Sequence, residues 1–173
     1  MCELLKTRRS TRKYRPEQVP DELLDAVLEA GLYAPSAMNN QKPVMVAVRD
    51  KATRDQLSAM NAAVMGTERD PFYGAPCVIV VLADPTYPTW VEDGSLVLGN
   101  LLNAAHAVEL GSSGSTAPGR CSTPRRARRF CASGASRNTT GASAAAFWVT
   151  PTRLPPPRSG QPTAFGKSDK GEK

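Results

Sequence analysis

The sequence predicts a mixed domain of helices and strands confined to residues 1–112, and three observations carry that expectation. Apolar side chains recur at helical spacing in three stretches, two short runs are apolar in the manner of strands, and beyond Ser112 both patterns stop.

The first helix follows Pro20-Asp21-Glu22, where Leu23, Leu24, Val27, Leu28 and Leu32 recur at helical spacing and Pro35 forbids a simple continuation. Val44 to Val48 then reads as a short strand, and Asp50-Lys51-Ala52-Thr53 starts a second helix carrying Leu57, Met60 and Val64. Gly74-Ala75-Pro76 leads into Cys77 to Ala83, apolar throughout, the signature of a strand covered on both faces of a sheet. A third helix from about Glu92 to Glu109 presents Leu96, Val97, Asn100, Leu101, Ala104, Ala105 and Val108. Its small residues, Gly94, Ser95, Gly99, Ala104, Ala105 and Ala107, let neighbouring backbones approach, so it is expected to be central and packed on several sides. His106 reads as a packed or partly exposed helical residue, because no second titratable group is placed by sequence to orient it for catalysis.

The charge pattern separates the two parts of the chain. Residues 1–112 carry 11 Lys and Arg against 14 Asp and Glu, a net of −3, whereas residues 113–173 carry 11 against 2, a net of +9. The tail contains Val149 and Leu154 but no Ile or Met, too little apolar surface to offset the entropy of ordering, so no buried hairpin or amphipathic helix is expected in it. Only the first two thirds of the 173 residues can then build a core, and such a core is expected to lean on a partner. No stretch is long and apolar enough to span a bilayer, which makes a soluble cytoplasmic protein the default. Cys2, Cys77, Cys121 and Cys131 lack metal-ligand spacing and only His106 could join them, so neither a zinc site nor a disulfide framework is suggested.

Two polar constellations stand out. Arg8-Arg9-Ser10-Thr11-Arg12-Lys13, ahead of Tyr14, offers forked guanidinium donors and hydroxyls suited to a phosphorylated ligand; the plainer reading is a solvated basic N-terminus. Nucleic acid is a poor fit, since the ordered part is net acidic and the patch is one turn long. The second is Ala34-Pro35-Ser36-Ala37-Met38-Asn39-Asn40-Gln41-Lys42-Pro43, whose amides can give and accept hydrogen bonds as the edge of a heteroaromatic ring requires; Asn and Pro are also simply common in loops.

These residues carry a resemblance. Arg8-Arg9-Ser10 with Arg12 and Tyr14, then Ala34 to Gln41 entering a strand, then Asp70-Pro71-Phe72-Tyr73-Gly74-Ala75-Pro76 before a Val-rich strand, and Leu101-Leu102-Asn103-Ala104-Ala105-His106 running to Leu110-Gly111-Ser112, resemble the nitroreductase family of FMN-dependent oxidoreductases over residues 4–112. A departure is Val44, where many relatives carry Trp. The resemblance implies an α+β nitroreductase-like fold, a central antiparallel or mixed sheet flanked by helices, and an intimate homodimer with two FMN molecules at its interface. It implies that Arg8, Arg9, Ser10 and Arg12 hold the phosphate and pyrimidine side of FMN. Pro35, Ser36, Ala37, Asn39 and Gln41 would reach the flavin from the other subunit, and Phe72 and Tyr73 would line its open face. The implied reaction is ping-pong: NAD(P)H gives a hydride to flavin N5 and leaves, and a nitroaromatic, quinone or similar acceptor is then reduced. The flavin carries that chemistry, so no catalytic side chain is required. No dinucleotide fingerprint distinguishes NADH from NADPH.

The resemblance stops near Ser112. Gly119 to Pro124 and Ala144 to Thr150, back-written in GC-rich codons and read with one common two-base displacement, give Glu-Val-Phe-Asp-Thr and Arg-Cys-Ile-Leu-Gly-Tyr, both family-like. Residues 113–173 thus resemble a frameshifted family C-terminus and are expected to be out of frame and disordered, leaving a sheet edge uncovered and FMN binding impaired. Two alternatives stand beside this reading: a non-catalytic family-derived protein with an empty flavin site, or a nucleic-acid binder whose arm is Arg125-Arg126-Ala127-Arg128-Arg129.

Overall fold

A computed structural model of the chain describes residues 2–114, together with the backbone of residues 147–149 and 152–153. Helices α1 (Cys2–Thr7) and α2 (Asp21–Leu32) precede a single 3-10 turn at Ala37–Asn39 and strand β1 (Val44–Val48). Helix α3 (Lys51–Met65), strand β2 (Val78–Leu82), helix α4 (Trp90–Ala107) and strand β3 (Leu110–Gly111) come next, with β4 (Phe147–Val149) and β5 (Thr152–Arg153) further on. The α+β class, with a central antiparallel sheet flanked by helices, is as expected.

Strand β2 is the centre. All five of its residues are buried, and alternate side chains serve two cores. Cys77, Ile79 and Val81 face α2 and α4, packing with Leu24, Val27, Val97, Leu101 and Ala105. Val78, Val80 and Leu82 face the other way, with Val48, Leu57 and Phe72. Such two-sided burial produces the uninterrupted apolar run seen in the sequence. Helix α2 approaches so closely at Gly31 that a Cβ there would lie 2.9 Å from Leu101 Cδ2.

Strand β1 lies antiparallel to β2, pairing Val46 with Val80, and β4 lies antiparallel along the other edge, pairing Ile79 with Val149 and Val81 with Phe147. The expectation that the sheet is left with an uncovered edge is therefore corrected along Ile79 to Val81. Phe147-Trp148-Val149 gathers residues that favour strands, and the open ladder of β2 supplies the partner. This is the same stretch whose displaced frame reads Ile-Leu-Gly-Tyr. Strand β5 pairs with β3, Gly111 opposite Thr152, and Ser10 bridges Ser112 in parallel. The rest of the tail, including Arg125 to Arg129, and the expectations of disorder and nucleic-acid contact attached to it, lie outside the described residues.

Several helical faces differ from the sequence reading. Helix α3 starts as expected, with Asp50 accepting from Thr53 N at 2.8 Å, and ends at Gly66 in the left-handed region. Its buried face, however, is Arg54, Leu57, Ser58, Asn61 and Ala62, whereas Met60 and Val64 are half-buried. Polar residues take the inner face because Arg54 and Ser58 find partners there. In α2, Leu32 is 64 % exposed, and in α4, Leu96 is 45 % exposed, although periodicity groups both with the core. The buried stripe of α4 runs Asp93, Val97, Leu101 and Ala105, one residue every four, with Gly94 beside it. Among the described residues no helix is long and apolar enough to cross a membrane, and no group of His, Cys, Asp or Glu could hold a metal ion.

Candidate functional site

The basic constellation begins where α1 ends. Arg9 turns back on that helix, its Nη1 donating to Lys6 O at 2.6 Å and to Arg8 O at 2.8 Å, so it caps a helix end whose carbonyls lack amide partners. Arg8 does not share that role. Its Nη1 is buried without a partner, and so is the Oγ of Ser112. Ser112 is 1 % exposed and lies beside this segment, bridged to Ser10 and accepting from Thr11 N at 2.9 Å. The Tyr14 hydroxyl donates to Thr11 O and stiffens the turn, while Arg12 is exposed. A buried guanidinium N–H without an acceptor leaves a desolvated donor, costing about 1–3 kcal/mol or more for a charged group. An anion such as a phosphate oxygen would satisfy it. The donor set of Arg8, Ser10, Arg12 and Ser112 fits the phosphate of FMN in chemistry.

Helix α1 is tied to α4 by His106, whose Nε2 lies 3.0 Å from Thr7 Oγ1. The Thr7 hydroxyl also donates to Glu3 O at 2.8 Å, and His106 Nδ1 is buried without a partner. His106 is thus a half-buried helical residue, as expected.

The second constellation is built on backbone strain. Met38, Asn39 and Gln41 have φ of 50°, 54° and 48°, a region that Asn tolerates but that costs Met and Gln about 1 kcal/mol each. Local bonds resist relaxation: Gln41 N donates to Ser36 Oγ at 2.9 Å, and Gln41 Nε2 donates to Ala34 O at 3.2 Å and Asn39 Oδ1 at 3.1 Å. One bond comes from outside. Asp93 Oδ1 accepts from Ala37 N at 2.9 Å, and its Oδ2 accepts from Thr89 Oγ1 at 3.2 Å. Pro35 is exposed at the start of the loop.

The structure does not bring the two constellations together within one chain. Residues 34–41 are anchored at Asp93, near the start of α4, and residues 8–12 lie by His106 and Ser112 at its end. Thirteen helical residues separate the two anchors, about 20 Å at 1.5 Å per residue.

The segment 70–76 is a third polar element. Asp70 accepts from Ser58 Oγ at 2.6 Å, Phe72 N at 3.0 Å and Gly74 N at 2.7 Å, and it pairs with the Arg54 guanidinium, which also donates to Ala75 O at 3.1 Å. Burial pushes the Asp70 carboxyl up, but the hydrogen bonds from Ser58, Arg54, Gly74 and Phe72 outweigh it and hold the group below its ordinary range. Phe72 corrects the expectation for this segment: at 2 % exposure it packs in the core beneath Arg54, so its ring lines no open face. Tyr73, at the tip with φ 55°, is 45 % exposed.

Asp93, Ser112 and the Thr7–His106 contact escaped the sequence reading. For Asp93 a signal existed: a carboxylate standing on the apolar stripe of a helix must be spending itself on a specific partner. Ser112 and His106 acquire their surroundings only through contacts distant in sequence.

Residues 5–71 match the family model described as the nitroreductase family. A relative in Methanothermobacter thermautotrophicus, whose name pairs NADH dehydrogenase with NAD(P)H nitroreductase, is 33 % identical over 121 residues, 65 % of this chain and 58 % of the relative. An NADH dehydrogenase of Thermus thermophilus is 46 % identical over 77 residues, 44 % of this chain and 35 % of that protein. The chain thus spans 58 % and 63 % of the length of the curated relatives it matches first. The crystal structure of a nitroreductase with bound FMN from Desulfitobacterium hafniense superposes with a TM-score of 0.77 at 26 % identity, covering 99 % of this chain and 96 % of that one. The FMN-bound nitroreductase of Bacteroides fragilis gives 0.78 at 21 % identity, with 99 % and 96 % covered. An iodotyrosine deiodinase bound to FMN and 3-iodo-L-tyrosine shares the fold, with a TM-score of 0.73 at 20 % identity. The N-terminal region of the chain thus matches the nitroreductase family, and its fold matches that of solved nitroreductases.

Proposed function

We propose that the chain derives from an FMN-dependent oxidoreductase and that its described part forms half of a flavin site completed by a second copy. The observation that carries this reading is the buried, partnerless Arg8 Nη1 in the same segment that bridges the equally partnerless Ser112 through Ser10, a donor set in want of an anion. Arg8, Ser10 and Arg12 would hold the phosphate, with Arg9 shaping the turn from behind. Pro35, Ser36, Ala37, Asn39 and Gln41 would contact the flavin of the partner copy. The separation of the two constellations along α4 favours a shared site over one within a single chain. Exposed apolar residues at and near the second constellation, Leu32, Tyr33 and Met38 at 64 %, 78 % and 89 %, suit burial against such a partner.

When bound, FMN would accept a hydride from NAD(P)H and pass reducing equivalents to a nitroaromatic, quinone or similar acceptor in a ping-pong cycle. The chain's own residues would bind, orient and exclude water. Tyr73 alone of the proposed substrate residues has a side chain free to meet an acceptor. The shared fold of an iodotyrosine deiodinase means that architecture does not choose the acceptor. A frameshift near residues 112–115 remains part of this reading: it would remove late residues that complete the cofactor site and leave an empty or weakly filled flavin slot.

The test is a visible spectrum of the purified chain, with its oligomeric mass, before and after adding FMN. A dimer showing flavin bands that bleach with NAD(P)H supports the enzyme; a colourless folded dimer that ignores FMN supports the non-catalytic descendant. In protein that binds flavin, Arg8→Ala should weaken FMN by about 1.5–3 kcal/mol through lost charged hydrogen bonds. Unchanged affinity in a fluorescence titration would reject the phosphate assignment. Resequencing the coding DNA across residues 112–115 tests the frame: codons that cannot yield the displaced segments would remove it.

A further inference from the structure

We infer that Asp93 is a positioning residue whose carboxylate holds residues 36–41 in a turn with Met38, Asn39 and Gln41 in the left-handed region, the form in which, on the flavin reading above, they meet the cofactor. The side chain stands on the buried stripe of α4 in line with Val97, Leu101 and Ala105, where an apolar residue would pack at less cost in desolvation. It is 5 % exposed. Its bonds to neutral donors show what it does there. Oδ1 takes the Ala37 N–H, the first amide of the 3-10 turn, and Oδ2 takes the hydroxyl of Thr89, the residue that precedes α4. Thr89 thereby sets the direction of the carboxylate, and the carboxylate pins the start of the turn.

The residues after Ala37 need such an anchor. Three of the next four, Met38, Asn39 and Gln41, lie at positive φ without being glycine, and Met38 is 89 % exposed, so neither sterics nor burial of its side chain keeps it there. The other hydrogen bonds, Gln41 N to Ser36 Oγ, Gln41 Nε2 to Ala34 O and Asn39 Oδ1, Asn39 N to Ser36 O and Asn40 N to Ala37 O, all arise within the loop and move with it. Asp93 alone among these ties the segment to a helix of the core.

Hydrogen exchange of the full chain without flavin tests the clamp directly. Asp93→Ala should speed exchange of the amides of residues 38–41 by at least about tenfold, as expected for losing one charge-assisted bond, while the centres of α2 and α4 keep their protection. Asp93→Asn should restore most of that protection, since its carbonyl can accept from Ala37 and its amide can donate to Thr89. Ala37→Pro removes the same bond from the other side. Proline is tolerated at the first position of a helical turn after an extended residue, and Ser36 has φ −138° and ψ 157°. The two changes combined should exchange no faster than either alone. Exchange at 38–41 that stays unchanged in both variants, or that rises only in step with the whole molecule, overturns the clamp. Where the wild-type chain binds FMN, equal affinity in Asp93→Ala overturns the positioning role. A wild-type chain that takes no FMN yet shows the exchange pattern upholds the clamp and rejects a cofactor-positioning role for it in this chain.

Discussion

Residues 34–41 and 70–76 are both polar, proline-bearing loops with residues at positive φ, yet they are held by opposite means. The second is organised by its own first residue. Asp70 collects Phe72 N and Gly74 N from its own turn and reaches back to Ser58 and Arg54 on the preceding helix. The first depends on Asp93, 56 positions from the Ala37 amide that it receives. A loop organised from within is rigid wherever its neighbouring helix is folded; one clamped from afar is rigid only when α4 is seated. The difference places conformational strain at 38, 39 and 41, where the proposed cofactor contact lies, and places stability at Asp70.

The comparison can be broken from the Asp70 side most forcefully. Asp70→Ala leaves the buried Arg54 with only the more exposed Asp55 as a charge partner and strips Ser58 and two turn amides of their acceptor, so it should lower global stability by about 3 kcal/mol in urea unfolding. Should the loss instead stay below that of Asp93→Ala, the assignment of stability to the second loop fails. Acid sharpens the same point. Because the folded carboxyl titrates below its unfolded value of about 3.9, Asp70 contributes stability above that pH and loses it as pH falls through the folded pKa. Urea midpoints measured from pH 6 down to pH 3 should therefore fall more steeply in the wild type than in Asp70→Asn; parallel profiles would contradict the depressed pKa. Ser58→Ala removes one of four supports and should cost about 1 kcal/mol. Ser36→Ala should have the smallest global effect. It removes an exposed bond within the clamped loop, and its consequence should appear as faster exchange at Gln41 with the unfolding midpoint almost unmoved.

Much of the fold was legible beforehand because its signals are local. The run Val78 to Leu82 had to be covered on both sides, Asp50 and Thr53 announced a helix start, and Pro35 announced a stop. Helical faces were less legible. Periodicity grouped Leu32 and Leu96 with the core and passed over Arg54 and Ser58, because it counts side chains without knowing which polar groups will find partners. Phe72 shows a different limit at the site: the resemblance implied that it lines the open face of the flavin, and the Asp70 turn points it into the core instead.

The chain alone carries the break at Ser112, the family pattern ahead of it, the order of elements and the two polar constellations, all properties of neighbours in sequence. Folding settled the rest. It laid Phe147–Val149 on the open edge of β2, placed Ser112 beside Ser10 with Arg8 left wanting an acceptor, and set the two constellations at opposite ends of α4. Each of these depends on which hydrogen-bonding groups are buried together, and burial is a property of the assembled layers.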